Sequence, residues 1–175
     1  MKDLYAMYNS CLQELNAIGI YPNKVETVSV NKRKSTTWGT ASRTNGVYSI
    51  KINVVLVDDR ISDTGLRATM FHELLHCVDG CMNHGEKWTR YAELVSDCYG
   101  VNVKRTNSTD EKARNSQEAE LIREISRDIY HKKTFAIKCS FCGIKTSRET
   151  TRTPKWYMHT EQYRCTRCGG KLVKC

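Results

Sequence analysis

No apolar run in this 175-residue chain approaches the roughly 18 residues that a membrane-spanning helix needs. The opening Met1-Lys2-Asp3-Leu4-Tyr5 lacks a hydrophobic signal segment and a small-residue cleavage site, so a cytoplasmic, reducing setting is expected. No internal repeat and no low-complexity tract stands out. Acidic residues run short in one place. Residues 131–175 carry eleven Lys/Arg against two Asp/Glu, whereas residues 1–130 hold seventeen of each sign. The whole net charge of +9 therefore lies in the last 45 residues. A neutral body with a basic tail module points to a polyanionic partner for that module, most often nucleic acid.

Cysteine is not scarce, but its count is odd: nine. That excludes a fully disulfide-bonded framework, and in a reducing compartment paired cysteines read as metal ligands. The length suits one medium domain, or a small catalytic domain with an accessory module.

Three of the five histidines fall within thirteen residues, in His72-Glu73-Leu74-Leu75-His76 and His84-Gly85. Positions four apart share a helix face, so His72 and His76 can present imidazole nitrogens to one metal ion. Zinc held by neutral nitrogen ligands keeps an open position and lowers the pKa of water to about 7. A carboxylate must then move the proton, and Glu73 projects from the same turn. Leu66, Met70, Phe71, Leu74, Leu75 and Val78 form an apolar stripe, while Ala68, His72 and His76 share another. Polar groups inside so apolar a helix need partners, and a metal provides them. His84 is the best third ligand, with Asp79, Glu86 and Glu93 behind it. The spacing departs from the HExxHxxGxxH pattern of metzincins, because Gly80 comes one residue late and the histidine two.

Cys139-x-x-Cys142-Gly143 and Cys165-x-x-Cys168-Gly169 form two matched knuckles separated by 22 residues. Each CxxC donates two thiolates, and the glycine that follows relieves the tight turn beneath the sulfurs. Two pairs close a Cys₄ site with no open position, so it is structural. The remaining thiols, Cys11, Cys77, Cys81, Cys98 and Cys175, read mostly as ordinary buried packing residues.

Helical spacing covers Leu4–Ile18, with Gly19 as C-cap and Pro22 beyond it. Val25–Val30 reads as a strand. Thr36–Ala41 and Val47–Val57 read as strands flanking Ser42–Gly46, whose Asn45-Gly46 is a hairpin signal. Asp63 is the expected N-cap of the metal-motif helix, and Gly80 its end. Glu86–Tyr99 reads as a second helix. Asn102–Asn115 reads as a linker or exposed loop, and Asp110–Tyr130 regains helical spacing.

Taken together, HELLH, then His84-Gly85-x-x-Trp88, then the CxxCG…CxxCG ribbon resemble the SprT-like metalloprotease family. Trp38-Gly39 and Ile50-x-Ile52-Asn53 are similar to that family's strand pair before the catalytic helix. The resemblance implies His72, His76 and His84 as zinc ligands, Glu73 as general base, and a protease related to Spartan, whose eukaryotic members act on proteins attached to DNA. The expected architecture is α+β: a small zincin-like metallopeptidase domain, residues 1–130, with a short β-sheet and an HExxH helix, followed by a C-terminal Cys₄ zinc ribbon, residues 131–175. The expected cofactors are one catalytic and one structural Zn²⁺. The expected function is a zinc endopeptidase acting on DNA-associated or DNA-crosslinked protein, associated with the nucleoid in a bacterial host. Lys145, Arg148, Arg152, Lys155, Trp156, Arg164 and Arg167 are the candidate contacts to single-stranded or frayed DNA, with Phe141, Tyr157 and Tyr163 as further stacking candidates; Trp156 and these three aromatics read equally well as the ribbon's small core. Two other readings remain: a non-enzymatic nucleic-acid-binding protein with a metal-stabilised scaffold, and a regulatory protease that cleaves one repressor.

Overall fold

Leu4, Cys11 and Leu15 bury one side of the first helix, Leu4–Ala17 (α1), which begins where the Asp3 side chain accepts the Ala6 N–H at 2.9 Å. Gly19, at φ +78°, turns the chain out of it. The computed structural model describes residues 1–33, 37–105, 108–131, 133–150 and 152–175. The chain divides into two compact units, Met1–Ser126 and Arg127–Cys175.

In the first unit, Val25–Asn31 (β1), Gly39–Thr44 (β2) and Val47–Asn53 (β3) form a sheet in the order β1-β3-β2. β3 is central, parallel to β1 and antiparallel to β2. Tyr48, Ile50 and Ile52 are buried, as their alternation predicts. The hairpin differs from expectation. β2 runs on to Thr44, and the loop shrinks to Asn45-Gly46, both at positive φ (51° and 82°), the geometry whose twist matches the flanking strands. Thr36, the expected start of this strand, lies outside the described residues. The second strand stops at Asn53, whose side chain accepts the Val55 N–H and starts a 3₁₀ turn over Val54–Val57. Those four apolar residues show no alternation, and periodicity cannot tell such a run from a buried turn.

The motif helix, Thr64–His76 (α2), is buried around most of its circumference; Leu66, Met70, Phe71, Leu74 and Leu75 are completely inaccessible. Asp63 does not cap it. Its backbone is already helical (φ −77°, ψ −8°) and its carboxylate pairs with Lys2 Nζ at 3.1 Å, whereas a capping residue needs an extended backbone. Glu86–Tyr99 (α3) packs on α2 through its Trp88, Ala92 and Val95 side and ends at Gly100, φ +62°.

The polar stretch after α3 is not a simple linker. Val101 and Val103 are buried, and a short helix, Thr109–Lys112 (α4), packs on α2. Ser108 and Glu111 form a reciprocal capping box that starts it. Thr106 and Asn107 of this stretch lie outside the described residues. Ala113 is extended, so the following helix, Ser116–Ile129 (α5), starts six residues later than its spacing suggested.

The second unit is a three-stranded antiparallel sheet of Lys133–Cys139 (β4), Lys145–Thr150 (β5) and Leu172–Lys174 (β6), in the order β5-β4-β6. One helical turn, Lys155–Met158 (α6), follows β5. Among the described residues, no helix is long and apolar enough to cross a membrane.

Candidate active site and metal centres

One turn of α2 separates His72 from His76, and the loop after α2 returns His84 to the same place. The three Nε2 atoms lie 3.2 Å (His72–His76), 3.1 Å (His76–His84) and 3.1 Å (His72–His84) apart. Two backbone carbonyls set the tautomers. His72 Nδ1 donates to the Lys104 carbonyl at 2.9 Å and His76 Nδ1 to the Cys81 carbonyl at 2.8 Å. A carbonyl only accepts, so the proton sits on Nδ1 and each Nε2 carries a free lone pair. Burial, reinforced by the neighbouring His76 and His84, pushes His72 down to about 3. Burial also lowers His76 and His84. Three imidazoles thus bring their Nε2 atoms to one point, with the lone pairs of His72 and His76 fixed toward it, an arrangement suited to a cation. Zinc–nitrogen bonds of about 2.0–2.1 Å in a tetrahedral shell put the nitrogens about 3.3 Å apart. The donor set fits that ion. The Trp88 indole backs it, with ring centroids 4.9, 5.6 and 4.5 Å from those of His72, His76 and His84.

Glu73 stands beside the histidines, 4% exposed. Its carboxylate accepts the Ala41 N–H, and Gly39 presses against it: a Cβ on Gly39 would stand 2.5 Å from Glu73 Oε1 and 2.7 Å from Thr69 Cγ2. Burial pushes the Glu73 carboxyl up to about 7, against the Ala41 hydrogen bond and the Lys112 charge. Histidines and glutamate open into one cleft of about 410 Å³, walled on one side by Trp38–Ala41. Since β2 is an edge strand of its sheet, that wall is backbone able to pair with an extended chain.

The four ribbon cysteines also converge. Cys139 Sγ lies 3.5 Å from Cys168 Sγ, and Cys142 Sγ 3.6 Å from Cys165 Sγ. All four sulfurs fall within 4.8 Å of one another. A tetrahedral Zn–S shell at about 2.3 Å gives edges of about 3.8 Å, so a structural ion fits here too. The knuckles repeat each other. Gly143 (φ +71°) donates to the Cys139 carbonyl, and Gly169 (φ +70°) to that of Cys165. The Cys142 and Phe141 N–H groups hold the Cys139 thiol down at about 6, against its burial. A Cβ on Gly170 would stand 2.8 Å from Cys139 Sγ and 3.3 Å from Cys168 Sγ, so the backbone lines the sulfur cradle.

The other metal candidates stay outside: Asp79 accepts from Asn23, and neither Glu86 nor Glu93 joins the histidine group. Cys77 and Cys81 are buried packing residues, as expected, but Cys98 and Cys175 are exposed. Lys145 and Arg148 lie on β5, Arg152 just after it, Lys155 and Trp156 on α6, Arg164 before the second knuckle and Arg167 within it. All six cations are exposed, and Trp156 is half-buried. The aromatics divide: Tyr157 packs on Phe135 at 4.9 Å, whereas Phe141 stands 82% exposed at the tip of the first knuckle. Sequence reasoning missed Lys112, buried in the cleft wall. The capping box Ser108-x-x-Glu111 signals its helix, but nothing in the sequence signals its burial.

A model of the SprT-like family matches residues 2–107, more than half of the chain, and the chain belongs to that family. No curated protein matches it.

Proposed function

We propose that this member of the SprT-like family is a zinc-dependent endopeptidase acting on DNA-associated or DNA-crosslinked protein, with the basic ribbon holding nucleic acid. The observation that carries the reading is the convergence of three neutral imidazole Nε2 atoms beside one buried carboxylate in a single cleft. His72, His76 and His84 would hold the catalytic zinc, and Cys139, Cys142, Cys165 and Cys168 a structural one. Zinc at the histidines supplies Lewis acidity and a water activated near neutral pH.

The chain's own residues do the rest. The edge of β2 receives the substrate as an extended strand and sets its scissile carbonyl over Glu73. Glu73 accepts the proton of the attacking water at a carboxylate oxygen and delivers it to the leaving amine nitrogen. The Ala41 N–H and Gly39 fix that carboxylate in place. Trp88 closes the floor and keeps bulk water from the imidazoles.

Exposed Lys145, Arg148, Arg152, Lys155, Arg164 and Arg167 offer positive charge to phosphates, and Trp156 with the more exposed Phe141 and Tyr163 offers rings to unpaired bases. The test is cleavage of a DNA-bound protein with and without DNA, at rising salt. DNA should stimulate cleavage by bringing enzyme and substrate onto one strand, and salt should abolish the stimulation. A chelator should stop cleavage and added zinc restore it. Cleavage indifferent to DNA at every concentration would favour the regulatory protease that cuts one repressor. No cleavage at all would favour the non-enzymatic binding protein.

A further inference from the structure

Peptide hydrolysis collects negative charge on the scissile carbonyl oxygen, and a base with three metal ligands leaves that oxygen without a protein partner. Lys112 ends α4, is 3% exposed, and lines the same cleft as His72 and Glu73. Its entry is built into α2. Gly65, Thr69 and Glu73 are spaced by four and make one row along that helix. At the head of the row a Cβ on Gly65 would stand 2.5 Å from the Lys112 carbonyl oxygen and 3.2 Å from Lys112 Cβ. Midway, Thr69 turns its hydroxyl back onto the Gly65 carbonyl at 2.8 Å. The Glu73 side chain leans back toward Thr69, since Gly39 meets both. A lysine side chain spans about one helical turn, 5.4 Å, which carries Lys112 from Gly65 to the level of Thr69, toward which the Glu73 side chain leans back. Its charge acts on both Glu73 and His72. Arg105 also lines the cleft, but it is exposed. A buried, fixed cation stabilises nearby charge far more than a solvated one.

We propose that Lys112 is a catalytic residue of this cleft, its ammonium stabilising the oxyanion that forms on the scissile carbonyl oxygen. The proposal rests on the peptidase reading above. In the step it assists, water oxygen bonds to the carbonyl carbon and the C=O π pair moves onto oxygen, where Lys112 meets it. Collapse restores the C=O bond and breaks C–N, with the water's proton reaching nitrogen through Glu73. Lys112 exchanges no proton. Burial lowers its pKa to about 8, with Glu73 opposing the fall, and it stays mostly charged at neutral pH.

The test compares wild type with Lys112→Met, Lys112→Arg and Arg105→Met in the full zinc-loaded chain. It measures kcat, KM, zinc per chain, and the Kd of a peptide phosphonamidate, whose tetrahedral anionic group copies the oxyanion. Lys112→Met should lower kcat about 10²–10³-fold and weaken the phosphonamidate by the same factor, with KM and zinc content unchanged. Lys112→Arg should recover part of both. Unchanged phosphonamidate affinity in Lys112→Met would overturn the proposal and leave Lys112 a structural counter-ion of Glu73. A loss that follows Arg105→Met instead would overturn it as well. A wild-type protein without cleavage would sink the peptidase reading and the catalytic role of Lys112 with it, whereas cleavage with unchanged phosphonamidate affinity in Lys112→Met would overturn the role of Lys112 alone.

Discussion

Gly39 and Glu73 are in contact so close that a single methyl group cannot come between them: a Cβ at Gly39 would stand 2.5 Å from Glu73 Oε1. The edge strand and the metal-motif helix therefore meet at the carboxylate itself. Gly39→Ala should displace Glu73 while leaving the three histidines intact. A shift of about 1 Å in a reacting group can cost 100-fold in rate, so kcat should fall by about 10–100-fold with zinc content unchanged. Steady-state kinetics with metal analysis on the same sample checks this.

The Trp88 indole is 2% exposed, and its Nε1 has no hydrogen-bond partner among the described residues. Trp88→Phe removes both a buried unsatisfied donor and some packing volume, two opposing changes of order 1 kcal/mol. Its unfolding free energy should stay within about 1 kcal/mol of wild type. Trp88→Ala opens a cavity behind the histidines and should cost about 3–5 kcal/mol. Denaturant titration of zinc-free protein separates the two.

Glu118 ties α5 to the loop before α2. Burial alone would raise its pKa, but the Ser62 and Arg114 N–H groups and the Ser62 hydroxyl donate to the carboxylate and bring it below 4.5. A depressed folded pKa means stability that is full above the unfolded value near 4.5 and lost as pH falls through the lower folded value. Glu118→Gln should cost about 1–3 kcal/mol at neutral pH, and the gap to wild type should close as pH drops below 4.5. A gap of equal size at pH 3 and 7 would reject the assignment.

Metal analysis should find two ions per chain, one for each of the two groups, His₃ and Cys₄. Cys168→Ser should remove one of them and, with it, the amide protection of β4 and β6, because metal binding supplies much of so small a module's folding energy. The histidine-bound ion and the protection of α2 should persist. Metal analysis beside hydrogen exchange reads both.

Much of this was legible in the sequence. The HELLH spacing marks a helix face, and α2 carries it. The paired CxxCG knuckles fix the ribbon's turns down to the two left-handed glycines, Gly143 and Gly169. Periodicity failed where it has nothing to read. Val54–Val57 is uniformly apolar and folds as a 3₁₀ turn, and Asp63 is a capping residue type in the wrong backbone conformation. The polar stretch around Lys112 looked like a linker because a buried lysine is invisible to hydropathy. Only the tertiary contact with Gly65 places it. Carbonyl partners such as those of Cys81 and Lys104 have no sequence signature at all, since every residue carries one.

Every step of the proposed hydrolysis passes through Glu73 as the base. Glu73→Gln keeps the size and the Ala41 hydrogen bond but cannot accept a proton, so the variant should retain both zinc ions while peptide-bond cleavage falls by several orders of magnitude. The deciding measurement is single-turnover cleavage of a protein substrate by wild type and Glu73→Gln at equal zinc content. With Glu73 as the base, the wild-type rate should be all but lost in the variant. Cleavage by Glu73→Gln at the wild-type rate would rule Glu73 out as the base.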